Sequence, residues 1–123
     1  MIEYTIDEGQ GLILVRVSGT NTCADLEKHI AEVYRDPRYK PSLKTLTFLD
    51  DGISGPIMSE LPEVKRVMEL AAQAPNALKK WAVVIVSDYK RLLVEFMLKG
   101  AQLKPLEVRF FKDEPAARAW LFH

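Results

Sequence analysis

The residues best placed to do chemistry or contact a partner lie between the third predicted strand and the start of the next helix: Asp50, Asp51, Ser54, Gly55 and Ser59. Two adjacent carboxylates could hold a magnesium ion or receive a partner's lysine. A phosphate on Ser59 would meet the N–H groups and the positive dipole end of a helix. The plainer and commoner interpretations are a chain turn for the aspartates and an N-cap for Ser59.

A second polar group follows the fourth predicted strand. Ser87 and Asp88 come directly after it and cap the third helix. The carboxyl ends of strands line the usual ligand crevice of open α/β sheets, so both residues join the aspartates of the previous strand as candidates for ligand binding.

Basic and apolar side chains around the fourth strand suggest how an anionic or lipid ligand could be held. Lys79-Lys80 and Lys90-Arg91 bracket the strand, could lie near one another, and would suit an anionic headgroup or an acidic partner. A solvated face is the commoner meaning of such pairs. Phe96 and Met97 are interpreted first as core and second as the lining of a lipid pocket.

The remaining reactive residue types do not form a catalytic group. His29 sits beside an apolar residue of the first helix, His123 is the last residue, and Cys23 lies in the first turn of a helix, where a thiolate would be favoured. A small, partly buried residue is the plainer role for Cys23. We therefore predict no catalytic residue, no metal site and no cofactor, and we expect that the protein is not an enzyme.

Length and charge narrow the function further. The chain has 123 residues, enough for a single domain spanning 1–123, and its 17 basic residues balance 17 acidic ones. A neutral domain lacks the positive field that drives nucleic-acid binding, so nucleic acid is a poor candidate partner. One cysteine, no signal peptide and no apolar run long enough to span a membrane lead us to expect a cytoplasmic protein.

The hydrophobic patterns predict the element order β-β-α-β-α-β-α-β-α. A hairpin of 2–6 and 12–18 opens the chain, Thr22 with Asp25 forms a capping box for the first helix, and the second helix runs from about Ser59 to Ala74. The apolar run 81–86 predicts a central strand buried on both faces. These elements predict a mixed, mainly parallel sheet with flanking helices. The open edge of the hairpin would allow a homodimer.

This order, together with three local motifs, resembles the SpoIIAA-like or STAS-like family, in the branch grouped with CRAL-TRIO (SEC14) folds. The motifs are Val15-Arg16-Val17-Ser18-Gly19-Thr20, the strand and cap of 80–88, and the closing strand and helix of 108–121. The resemblance implies a single-domain SpoIIAA/STAS-like fold covering the whole chain.

The same resemblance implies a non-enzymatic regulatory module that binds a protein partner and is switched by phosphorylation. Asp50 matches an aspartate at the end of the family's third strand, and the switch serine falls on Ser59, or on Ser54 if the loop is shortened. Met58 stands where the family motif has an aspartate. The alternative functions are a small-molecule or lipid-binding carrier and, ranked last, a hydrolase or transferase.

Overall fold

The computed structural model describes residues 1–50 and 59–122. Asp51, Ser54 and Gly55 lie outside the described residues, as does His123. The predicted order of elements is confirmed. The elements are β1 (Ile2–Asp7), β2 (Leu12–Val17), α1 (Cys23–Arg35), β3 (Lys44–Leu49), α2 (Leu61–Ala72), β4 (Lys80–Ile85), α3 (Asp88–Leu98), β5 (Glu107–Phe111) and α4 (Glu114–Leu121).

The strands form one mixed sheet in which the spatial order β1-β2-β3-β4-β5 follows the chain order. β1 pairs antiparallel with β2 as the predicted hairpin, and the other three pairings are parallel. β1 and β5 are therefore the two edge strands. The prediction of a mainly parallel sheet with an N-terminal hairpin is confirmed.

The two faces of the sheet are covered unequally. α1, α2 and α3 pack on one face through side chains such as Val33, Met68 and Val94, which belong to buried apolar clusters with β2 and β4. Within the described part of the chain, α4 is the helix that covers the other face, where Ala117 and Leu121 have no exposed surface. Among residues 1–50 and 59–122, no helix is long and apolar enough to cross a membrane.

Side-chain caps start three of these helices as the sequence predicts. The Asp25 N–H donates to Thr22 Oγ1 at 3.1 Å and the Thr22 N–H donates to Asp25 Oδ2 at 2.9 Å, which completes the capping box. Ser87 caps α3 by accepting from the Lys90 N–H, and Asp113 caps α4 in the same manner. Each cap satisfies a first-turn N–H that has no partner within its helix.

Two predicted boundaries are wrong. α2 has Glu60 as its N-cap, so Ser59 stands one residue before the cap instead of capping the helix. β4 ends at Ile85, and Val86 is 59% exposed although the apolar run predicts a buried residue there. An apolar run alone cannot tell where the covering helices stop.

Two buried threonines of β3 provide a matched test of polar burial in this core. Thr45 and Thr47 are both 4% exposed, and the Trp81 Nε1–H donates to Thr47 Oγ1 at 2.7 Å. Within the described part of the chain, Thr45 Oγ1 is a buried side-chain oxygen with no hydrogen-bond partner.

We therefore expect opposite effects from the same substitution at these two sites. Thr45→Val removes an unsatisfied hydroxyl and should raise the free energy of unfolding by about 1 kcal/mol, whereas Thr47→Val leaves the indole N–H of Trp81 unpaired and should lower it by about 1–2 kcal/mol. Urea unfolding of the two variants and the wild type measures both changes. Equal losses at the two positions would contradict this account of the core.

Candidate functional site

Helix α3 carries apolar side chains on two opposite faces. Val94 and Leu98 are buried against the sheet. Tyr89, Leu92 and Phe96 point away from that contact and are 76%, 63% and 73% exposed. These three residues form what we call the outer stripe.

The spacing of the outer stripe explains why it forms one surface. Residues three and four positions apart lie on the same side of a helix, and Tyr89, Leu92 and Phe96 follow each other at these intervals. A helix that is apolar on opposite sides is normally covered on both. α1 has the ordinary arrangement, with an exposed face of charged residues: Asp25, Glu27, Lys28, Glu32 and Arg35.

A wide groove of about 1010 Å³ separates the outer stripe from the edge strand β5. Residues from both faces of β5 line it: Val108 and Phe110 from the face that carries α3, and Arg109 and Phe111 from the face that carries α4. The groove therefore runs along the open edge of the strand. Leu93 and Leu103 add apolar surface to it, and Glu95 and Lys99 add charge.

The sequence predictions for α3 are partly wrong. Met97 packs against the core as predicted, but Phe96 is exposed and lines the groove, so the two residues do not share a pocket. Sequence reasoning selected neither Leu92 nor Tyr89 as a site residue. The available signal was the second set of apolar positions, 89, 92 and 96, opposite the set formed by 94 and 98.

The four basic residues around β4 do not come together. The Lys80 ammonium donates to the Trp120 carbonyl at 3.3 Å and lies 4.8 Å from the centre of the indole ring. The Arg91 guanidinium lies beyond the opposite end of the strand, donates to the Ile85 carbonyl at 2.8 Å and pairs with Asp88. Lys90 follows that same end as part of α3. A headgroup site built from all four cations is therefore not formed.

Asp50, Ser87 and Asp88 do lie at the same end of the sheet. They follow the carboxyl ends of the neighbouring strands β3 and β4, in which Leu49 is aligned with Ile85. The strand order does not reverse between these strands, however, so the crevice that forms at such a reversal in open α/β sheets is not expected here. Across the described residues, no cluster of three or more His, Cys, Asp or Glu side chains could hold a metal ion.

A small apolar cavity of about 80 Å³ lies between the sheet and the helices. Its walls are almost entirely aliphatic and aromatic, with His29, Thr47 and Trp81 as the polar exceptions. A carrier of drug-sized or lipid ligands needs several hundred Å³. The cavity found among the described residues is far smaller, and neither Phe96 nor Met97 lines it.

Burial determines the protonation of the two reactive side chains on α1. Burial lowers the pKa of His29, whose ring packs edge-on against Tyr4 at 5.6 Å, and the weaker influence of Glu32 raises it. Burial, followed by the nearby Glu60, raises the pKa of Cys23. The Cys23 thiol is therefore not activated, which agrees with its interpretation as a small buried residue.

The architecture is that of a SpoIIAA-like fold. The chain is similar to the crystal structure of an uncharacterised DUF3478-family protein with a SpoIIAA-like fold from Shewanella loihica PV-4. The two share 18% sequence identity and superpose with a TM-score of 0.63 over 98% of this chain and 93% of the other. No family model and no curated protein matches the sequence. At 18% identity the similarity defines the fold alone. The function has to be inferred from the geometry of the site.

Because burial lowers the pKa of His29, we expect the stability of the folded protein to depend on pH. The folded pKa lies below the unfolded value of 6.5, so the unfolded chain binds the proton first as the pH falls. The free energy of unfolding should therefore decrease as the pH is lowered from about 7.5 through this value. Urea unfolding at a series of pH values between about 7.5 and 5 measures the effect.

Substitution of the histidine itself supplies the control for this experiment. His29→Gln should flatten the dependence, because glutamine does not titrate. A wild-type slope in the His29→Gln variant would show that other groups cause the dependence.

Proposed function

We propose that this protein is a non-enzymatic protein-interaction module whose contact surface is the outer stripe of α3 and the adjoining groove along β5. The observation that carries the proposal is the pair of apolar faces on one short helix. Tyr89, Leu92 and Phe96 expose most of their surface to water, although burying a large apolar side chain is worth about 1.5–3 kcal/mol. A partner that covers the stripe would gain this energy.

The composition of the surface favours a protein partner. Contact surfaces between proteins are rich in aromatic residues and arginine at their centre and have a polar rim. The groove combines two exposed aromatic residues, Tyr89 and Phe96, with Arg109, and the charged residues Glu95 and Lys99 also line it. An unpaired strand edge beside it supplies main-chain groups that another polypeptide can bind.

The loop region between β3 and α2 is a second proposed contact surface, as the family resemblance implies. Asp50 and Ser59 are both exposed, and Ser59 directly precedes the N-cap of α2. A phosphate on Ser59 would lie near the positive end of that helix, so phosphorylation is compatible with the fold. Asp50 follows the carboxyl end of β3, and Tyr89 lies in the first turn of α3, which follows the carboxyl end of β4. Both residues are therefore at the same end of the sheet, and one partner could contact both surfaces.

Site-specific photo-crosslinking in the protein's own cells tests the module. We expect p-benzoylphenylalanine in place of Phe96 to give a covalent adduct with a protein on irradiation. The same group in place of Leu70, a residue of α2 that is 60% exposed, should give none. A Leu92→Ser substitution in the chain labelled at Phe96 should reduce the adduct yield, because it removes apolar surface from the same contact.

The result that contradicts the proposal is equally specific. Adducts at position 96 that are no more abundant than those at position 70, or that do not respond to Leu92→Ser, would mean that the outer stripe is not a protein contact. Mass spectrometry of the adduct identifies the partner as a second copy of this chain or another protein.

A further inference from the structure

We infer that the partner of this surface is a second copy of the chain, joined by antiparallel pairing of the two β5 strands about a two-fold axis at Val108. The inference rests on the proposed function and specifies its partner. It differs from the expectation that the N-terminal hairpin forms a dimer, because β1 and β5 are opposite edges of the sheet.

Strand β5 has main-chain groups available along its outer edge. The Glu107 N–H donates to the carbonyl of Lys79, the residue that precedes β4, at 2.9 Å. From that point β4 and β5 pair in parallel register. In a parallel ladder, the main-chain N–H and C=O groups of alternate residues point to the neighbouring strand. Those of Glu107, Arg109 and Phe111 therefore point to β4. The N–H and C=O groups of Val108 and Phe110 therefore point to the open edge.

The groove has the shape that an added strand requires. It follows the edge of β5 and is bounded on one side by the outer stripe. A strand of five residues extends about 17 Å, and a helix of 11 residues extends about 16 Å. The two elements therefore match in length. A partner's β5 in this groove would continue the sheet, and the two-fold axis would bring the two outer stripes together above the joined strands.

Among the registers centred on Val108, Arg109 and Phe110, charge favours one for this pairing. With the axis at Val108, each Glu107 lies opposite an Arg109 of the other copy. With the axis at Arg109, the two arginines would face each other, and with the axis at Phe110, Glu107 would face Asp113. Opposite charges across a strand pair stabilise it and like charges destabilise it. Glu107 and Arg109 are both exposed, so their side chains are available for this contact.

The favoured register also forms main-chain hydrogen bonds at the axis, although the Phe110 carbonyl gains no donor from Leu106. The outward-facing Val108 of one copy would exchange N–H and C=O bonds with Val108 of the other. The Phe110 N–H would reach the Leu106 carbonyl, while the Leu106 N–H already donates to the Leu103 carbonyl at 2.8 Å. The two Val108 side chains would meet on the face that carries α3.

Charge reversal across the axis tests the inference. Analytical ultracentrifugation of the wild-type chain, whose monomer mass is 14.0 kDa, should show a concentration-dependent dimer. Glu107→Arg alone and Arg109→Glu alone each create two like-charge pairs and should weaken the dimer roughly tenfold or more. The double variant restores opposite charges and should return the dissociation constant to within about threefold of the wild type. Thermal unfolding of each variant verifies that it folds.

The outcomes separate this inference from the proposed function. A dimer that ignores both reversals, or that is weakened by Glu3→Arg on β1 instead, would overturn the β5 pairing. A chain that stays monomeric at all concentrations would also overturn it. In that case a crosslink from position 96 to a different protein would leave the interaction module standing, whereas no specific crosslink would remove both.

Discussion

Each connection between successive parallel strands moves the chain one position further across the sheet, and the rest of the structure depends on this constraint. Because β-α-β crossovers have one favoured hand, helices that connect strands added in the same direction lie on the same face. This places α1, α2 and α3 side by side on one face of the sheet. α1 and α3 are then the outer helices of this layer, and β5 is the final strand. The chain next passes to the opposite face, where α4 covers Leu46 and Ala82.

At the β5 end of the sheet, two elements with uncovered surfaces lie next to each other. Among the described strands, β5 pairs with β4 and with no other, and α3 contacts the sheet through one of its two apolar faces. Inside a longer sheet, another strand and helix would cover both. Here α4 belongs to the other face, so the outer stripe and the strand edge remain exposed in the same groove. In both the proposed module and the proposed dimer, a partner covers the strand edge and the outer stripe that a further strand and helix would have covered.

Much of the fold could be predicted from the sequence because its signals are local. The capping box of Thr22 and Asp25 depends on residues three positions apart, and the hairpin depends on a short polar turn. The site could be predicted less well because exposure is decided by tertiary contacts. The apolar spacing of α3 indicates two faces, but only the packing shows that Val94 turns to the sheet and Phe96 does not. The separation of Lys80 from Arg91 has a simpler cause, since an extended strand places the residues that flank it at opposite ends.

The most direct measurement of the central claim is residue-resolved amide hydrogen exchange of β5 in the wild-type chain, compared at low and high protein concentration. The amides of Val108 and Phe110 point to the open edge, whereas those of Glu107 and Arg109 face β4. If β5 pairs with a second copy, Val108 and Phe110 should become protected as the concentration rises, and the amides facing β4 should be protected throughout. Rapid exchange of Val108 and Phe110 at every concentration would contradict the account, because the strand edge would then remain unpaired.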